Sequence, residues 1–286
     1  MKDNDEREPT NTVYSDLACE RRKANVECEG ICFTEERRGD YKWERITVTD
    51  KKGAESLGRP IGHYDTLTLP RMDTLTEEDI ADAASEISEE LCFSLDRISV
   101  IPDRILVVGL GNAELTPDSV GPKSALQVNA TMHLAPADRQ IAKNIECSGI
   151  AICIPGVMAK SGLDSVTTVK AISEKQSFDA VIAIDSLASL SPERLGKTIQ
   201  ISDTGIIPGS GIGCRRTPLN KESLGVPVIA IGVPTVINSK FFSYSGEINN
   251  SEQNSEMFVS PREIDVITDA SSKIISMGIN LAFGIF

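Results

Sequence analysis

LVVGLGNAELTPDSVGP, residues Leu106 to Pro122, decides how the chain is read. An apolar run stops at two glycines, Gly109 and Gly111, and Asp118 follows between a proline and a serine. The run has the look of a strand buried on both faces, and Gly-x-Gly after such a strand suggests a dinucleotide-binding turn. That fingerprint requires a third small residue where this chain has Glu114, and a carboxylate there faces a pyrophosphate badly. No G-x-x-x-x-G-K-[ST] loop is present either. The glycines read instead as a tight strand-to-helix turn. The next helix is expected to begin with Thr116 as N-cap, Pro117 at N1 and Asp118 at N2.

Outward from this stretch the pattern repeats. Short apolar runs lie at 104–110, 149–156, 180–185, 198–202 and 226–234, with helical periodicity over 117–129, 163–176 and 261–283. Strands alternating with helices predict an α/β three-layer sandwich, a mostly parallel central sheet flanked by helices. Residues 26–70 alternate polar and apolar side chains and predict a small N-terminal antiparallel β sub-structure. Residues 74–95 form the clearest helix: Thr76 caps an acidic first turn, and Ile80, Ala83, Ala84, Ile87 and Leu91 share one face. Residues 1–15 read as a charged tail and 239–258, rich in Asn and Ser, as a surface loop.

With 286 residues the chain is long enough for one large domain. Its net charge of −13 opposes direct nucleic-acid binding and adhesion to anionic membranes. The N-terminus has no signal-peptide pattern, and no apolar stretch is long enough to span a bilayer. Seven cysteines are scattered along the chain. Cys28 and Cys32 are the only close pair, with no matching ligand pair downstream, so reduced structural thiols in a cytoplasmic protein are expected and no metal or cofactor.

Taken alone, Asp118 is an ordinary acid in the first turn of a helix, favoured by the dipole. A second acid changes its meaning. AVIAID ends in Asp185, also at the carboxyl end of an apolar strand, where open α/β sheets place their ligands. A carboxylate closing so apolar a run is costly unless paired, solvated or used. Two carboxylates at one crevice can share a proton, one acting as base on water and the other as acid. The two histidines, His63 and His133, lie in no G-x-S-x-G or H-E-x-x-H motif. Asp203-Thr204-Gly205 matches a pepsin-type loop by accident of an α/β context. The loop it opens, DTGIIPGSGIG, with Gly205, Gly209 and Gly211, is expected at the site's rim together with Gly109, Gly111, Asn112 and Asp203.

Several long segments, in order, resemble the germination proteases of spore-forming bacteria: LVVGLGN, TPDSVGP, APADRQ, IPGVMAKSGLDS, DAVIAIDSLAS, TIQISDTGIIPGSGIG, ESLGVPVIAIGVPTV and SPREID. The resemblance runs from about Tyr14 to Leu281. It implies an atypical aspartic-type endopeptidase of the spore core that degrades small acid-soluble, DNA-binding spore proteins during germination. It further implies an inactive homotetrameric zymogen, self-processing, and a core like that of the hydrogenase maturation proteases. The two family aspartates proposed as catalytic fall on Asp118 and Asp185. Tyr14 to Glu20, YSDLACE, has the form acid, bulky apolar, Ala, small, Glu, which resembles the family's processing and substrate cleavage sites. Cleavage between Asp16 and Leu17 would divide the chain into a propeptide, 1–16, and one peptidase domain, 17–286. Two departures stand out. The segment Asn238 to Val259 is short for the family, and Cys19 is unusual at the processing site. Two rival readings are a metal-dependent maturation-type peptidase using His133, and a non-catalytic module that holds a peptide or anion at the glycine-rich loops.

Overall fold

A computed structural model describes residues 15–21, 29–134, 148–210, 217–238 and 257–285. Most of the 239–258 loop expected from composition, and Gly211 and Cys28, lie outside these residues.

Nine strands of the described residues form one sheet: β1 (Ile31–Arg38), β2 (Tyr41–Val48), β3 (Gly62–Thr68), β4 (Arg104–Gly109), β5 (Gly149–Cys153), β6 (Ala180–Ser189), β7 (Thr198–Ser202), β8 (Val228–Asn238) and β9 (Phe258–Val259). Their order is β1-β2-β3-β7-β8-β6-β4-β5, with β9 on β8. β8, β6, β4 and β5 run parallel, as their continuous apolar sequences require. β7 runs antiparallel to β8 and to β3, so the N-terminal meander extends the same sheet instead of forming a separate unit. The α/β class with flanking helices and N-terminal antiparallel strands is the one the sequence leads to.

The helices are α1 (Ala18–Arg21), α2 (Lys51–Leu57), α3 (Glu77–Arg97), α4 (Val120–Gln127), α5 (Met158–Ser161), α6 (Ser165–Gln176), α7 (Lys221–Leu224) and α8 (Ile264–Ala282). α3, α4 and α8 bury Ile87, Leu91, Val120, Ala125, Ile274 and Ile275 against Ile105, Ile182, Ile199 and Ile231 on one sheet face. α6 and α7 cover the other face through Val166, Val169 and Leu224 over Leu106, Val108, Val181 and Ala183. Alternate strand residues thus enter two separate cores, the signature of a sheet buried on both sides. α3 begins where expected: Thr76 accepts from Asp79 N, and Asp79 Oδ2 accepts from Thr76 N at 2.8 Å, a reciprocal cap. α8 can lie close on α3 because Gly278 has no Cβ, which would stand 2.7 Å from Ile87 Cγ2.

The helix after β4 differs from the expectation. Thr116–Asp118 is a separate 3-10 turn, and α4 starts at Val120 with no side-chain cap. The reason is local: Asp118 N and Ser119 N are already taken by Leu115 O and Thr116 O, which closes the tight turn before the wider helix begins.

Under the meander α3 carries a buried cluster of four charges. Arg45 Nη1 donates to Glu90 Oε2 at 2.6 Å and stands 3.3 Å from Asp65 Oδ1, while Arg97 Nη2 reaches Asp65 Oδ2 at 2.6 Å and Glu90 Oε1 at 3.2 Å. Both carboxylates are almost fully buried. Burial, together with the neighbouring Asp65, pushes the Glu90 carboxyl up to about 7. A carboxyl raised in the folded state binds its proton more tightly there than in the unfolded chain. Its contribution to stability is therefore complete below its ordinary value and is lost as pH rises through about 7. Glu90→Gln fixes the uncharged form. In urea unfolding between pH 5 and 8 the wild-type chain should lose roughly 1–3 kcal/mol that the variant keeps. Parallel pH profiles would mean that Glu90 does not titrate in this range.

Candidate functional site

Glycines fix the end of β4. Leu110 N donates to Ile184 O at 2.8 Å, tying the strand's exit to β6. Gly111 then turns with φ +106, a region closed to most side chains. Asn112 N donates to Asp118 O at 2.9 Å, so the loop folds back on its own start. A Cβ on Gly111 would lie 2.3 Å from Asp118 O and 2.9 Å from Asp118 Oδ1. The carboxylate of Asp118 therefore hangs directly over Gly111. Asn112 Oδ1 accepts from Glu114 N at 3.1 Å and holds the loop's other limb.

Asp185 continues β6 past Ile184 and pairs in register with Gly232 of β8. It is 5% exposed, and its Oδ1 accepts from Ser186 N at 2.9 Å. The turn Thr116–Asp118 packs against β6 and β8. Both aspartates thus stand just beyond the end of β4, on elements that touch, Asp118 half-buried and Asp185 buried; Asp185 does not close its strand as the sequence suggested, because β6 runs on beside β8 to Ser189.

The N-terminal residues lie on the sheet as a strap. Asp16 N donates to Ala188 O at 3.0 Å, and the Asp16 carboxylate accepts from Ala188 N at 2.9 Å and Ser210 Oγ at 2.5 Å. Gln200, at the centre of β7, brackets the next residue: its Nε2 donates to Asp16 O at 3.2 Å and its Oε1 accepts from Ala18 N at 2.8 Å. Leu17 and Ala18 are wholly buried. Arg59 and Arg21 both donate to Ser15 O. A cavity of about 160 Å³ opens beside Asp16, bordered by Tyr64, Leu187, Gln200, Gly205, Ser210 and Gly232. Leu187 lies two positions beyond Asp185 on the strand. Neither Asp118 nor Asp185 lines this cavity.

Of the rim residues, Gly205 borders the cavity and turns with φ +78, where a Cβ would meet Leu219 O at 2.2 Å. Gly209 turns with φ +72 one residue before Ser210. Gly211 lies outside the described residues. Asp203 is committed elsewhere: its carboxylate accepts from His63 N at 2.8 Å and lies 2.6 Å from His63 Nδ1, joining β7 to β3. Gly109 and Gly111 shape the Asp118 turn, away from the cavity. His133 is exposed in a segment whose Met132 N donates to Ile150 O, near the starting ends of β5 and β4, opposite the ends that carry the aspartates. Among the described residues no three His, Cys, Asp or Glu side chains gather as a metal-ligand set. No helix there is long and apolar enough to cross a membrane.

The residues that sequence reading missed are Gln200, Ser210, Ser189 and Ser191. A signal existed for the first: in TIQIS every second residue is polar, so one strand face carries Thr198, Gln200 and Ser202. All three are buried, which calls for partners that the sequence does not name.

The sequence profile of the germination proteases matches residues 10–245. The chain belongs to the germination protease family. It is 35% identical over 314 residues to a germination protease of Clostridium perfringens, covering 94% of each chain. It is 36% identical over 310 residues to that of Caldanaerobacter subterraneus subsp. tengcongensis, again over 94% of each. Against the germination protease of Bacillus subtilis the identity is 37% over 238 residues, 79% of this chain and 64% of that relative. Family membership makes the chain a protease, a hydrolase of peptide bonds.

A change at Gly111 tests how tightly the turn sets Asp118. Gly111→Ala puts a methyl group against the Asp118 backbone at a positive φ, which should destabilise by about 1–3 kcal/mol. Proteolytic activity should fall at least about tenfold at temperatures where the variant remains folded by circular dichroism. Full activity in a folded Gly111→Ala chain would mean that the position of Asp118 does not matter.

Proposed function

We propose that the protein is an endopeptidase that opens the degradation of small acid-soluble, DNA-binding spore proteins at germination, with Asp118 and Asp185 as its catalytic pair. It works in the spore core, is made as a homotetrameric zymogen, and removes residues 1–16 by cutting between Asp16 and Leu17. What supports the reading most is the strap. A segment with an acid before a bulky apolar residue is already seated on the sheet face of β6, just past Asp185.

The chemistry is hydrolysis by water. One carboxylate takes a proton from water as the oxygen attacks the scissile carbonyl. The other, in its protonated form, gives its proton to that carbonyl, leaving a gem-diol; the first then passes the proton it took from water to the departing amine while the second recovers a proton from a diol hydroxyl, so that both return to their starting states. Asp185 is buried and Asp118 half-buried, on elements that touch, which supports their acting on one peptide bond. Acid and base roles are assigned to the pair and not to either residue.

Intact-mass spectrometry of the chain incubated with a small acid-soluble spore protein tests this. The wild type should cut after an acid that precedes a bulky apolar residue and Ala. Asp118→Asn and Asp185→Asn should each lower the rate by about 1000-fold or more while leaving unfolding unchanged within about 1 kcal/mol. Either variant cutting at the wild-type rate removes the pair from the mechanism. Incubation of the wild type alone at mildly acidic pH should show loss of residues 1–16, and an unchanged mass would remove self-processing.

A further inference from the structure

The strap carries a second acid, Glu20, held more completely than Asp16. Ser189 Oγ donates to Glu20 Oε1 at 2.5 Å, and Ser191 N donates to the same oxygen at 3.0 Å. Leu190 N donates to Oε2 at 2.7 Å, and Ser15 Oγ, from the strap itself, donates to Oε2 at 2.5 Å. Arg194 Nε stands 4.0 Å away, and its Nη1 is occupied by Glu44 at 2.8 Å. The Glu20 side chain is 5% exposed.

Three of these four donors belong to one short stretch, Ser189 to Ser191, at the end of β6. Their aim does not depend on Glu20: Ser191 N also reaches Ser189 Oγ at 3.1 Å, and β6 holds Ser189 in register with Ile237. A cradle of converging backbone N–H groups and a hydroxyl is an anion site by its chemistry. Vacated, it leaves Ser191 N on Ser189 Oγ and lets Ser189 Oγ turn to Ser191 O at 2.9 Å, but takes the partner from Leu190 N, so an acid there is preferred over an amide or an apolar group. Between the two acids the grip changes character. Gln200 bonds only backbone, Asp16 O and Ala18 N, at the turn into α1, and these bonds do not read a side chain. The strap is thus hydrogen-bonded through side chains at its two carboxylates and held by burial of Leu17 and Ala18 in between.

We propose that Ser189, Leu190 and Ser191 form the substrate subsite for a glutamate four residues beyond the scissile bond, and that the chain's own Glu20 fills this subsite before processing. The proposal rests on the reading of Asp16–Leu17 as a mimic of the substrate's scissile bond. It follows that strap and substrate compete: residues 17–21 must leave the sheet, besides the removal of 1–16, before a protein substrate can be gripped.

The test uses the full-length chain carrying Glu20→Gln, which weakens the internal occupant. Two fluorescent peptides copy residues 14–22, one with glutamate and one with glutamine at the place of Glu20. Anisotropy measures binding, and mass spectrometry measures cleavage of the same peptides after the chain has been held at mildly acidic pH until residues 1–16 are lost. The glutamate peptide should bind at least about tenfold more tightly than the glutamine peptide. Adding Ser189→Ala should shrink this preference severalfold, and Ser189→Asp, which puts a like charge in the cradle, should reverse it. If Ser189→Asp does not fold, Ser189→Ala alone carries the comparison. Equal binding of both peptides, or a preference untouched by Ser189→Ala, overturns the subsite. Discrimination in binding with no cleavage leaves the subsite standing and overturns the reading of the scissile bond. Cleavage at equal efficiency for both peptides does the reverse.

Discussion

Gly121 has no side chain because there is no room for one. A Cβ there would stand 2.2 Å from Leu110 O and 2.4 Å from Ile184 O. The first turn of α4 therefore rests directly on the backbone of two neighbouring strand ends. Gly109 makes the matching approach from below, where a Cβ would meet Gly121 O at 2.5 Å. This backbone-to-backbone contact sets the height of the Asp118 turn over the sheet, and β6 carries Asp185 to the same end. Ile184 lies at the centre of the arrangement, its carbonyl bonded to Leu110 N and its side chain buried in the main core. The position of both acids is thus set by core packing, which resists displacement far better than a surface loop would.

The strap adds a layer of a different kind. Residues 15–21 bury Leu17 and Ala18, yet their hydrogen bonds are mostly to backbone groups and hydroxyls of β6, β7 and the Ser210 turn. Ala18 packs with Ile46, Val48, Leu57 and Tyr64, the third and smallest core of the fold. The N-terminal meander therefore serves two purposes: it widens the sheet, and it provides the apolar floor on which the strap rests. A sheet that ended at β7 would offer Gln200 but nothing to hold Ala18.

Much of this was legible in the sequence, and the failures have physical causes. LVVGLG and AVIAID could only be central strands, since such unbroken apolar runs need cover on both faces, and the helix capped by Thr76 carried its own start signal. The candidate pair was read from the ends of those apolar runs, and for AVIAID the strand itself continues to Ser189. The direction of β7 was hidden because TIQIS reads the same in either orientation, and orientation is decided by partners far away in sequence. The start of α4 was misplaced by three residues. Thr116-Pro117-Asp118 has the composition of a helix N-terminus, and the hydrogen bonds from Asp118 N to Leu115 O, Ser119 N to Thr116 O and Asn112 N to Asp118 O turn it into a closed loop. The cavity was invisible for a further reason. It is assembled from residues 16 to 232, and none of the contributing segments signals it alone. Asp203, expected at the rim, is held by His63, a partner 140 positions away.

The outer strand β1 has a bearing on how copies of the chain can meet. An edge strand presents unpaired N–H and C=O groups to any other strand that approaches. Here the exposed part of that edge reads Thr34-Glu35-Glu36-Arg37, with both signs of charge, and the strand turns back at Gly39 through a left-handed residue. An incoming strand would have to desolvate these charges in order to pair. Sheet-to-sheet joining along β1 is thereby disfavoured, which protects a nine-stranded sheet from templating its own aggregation.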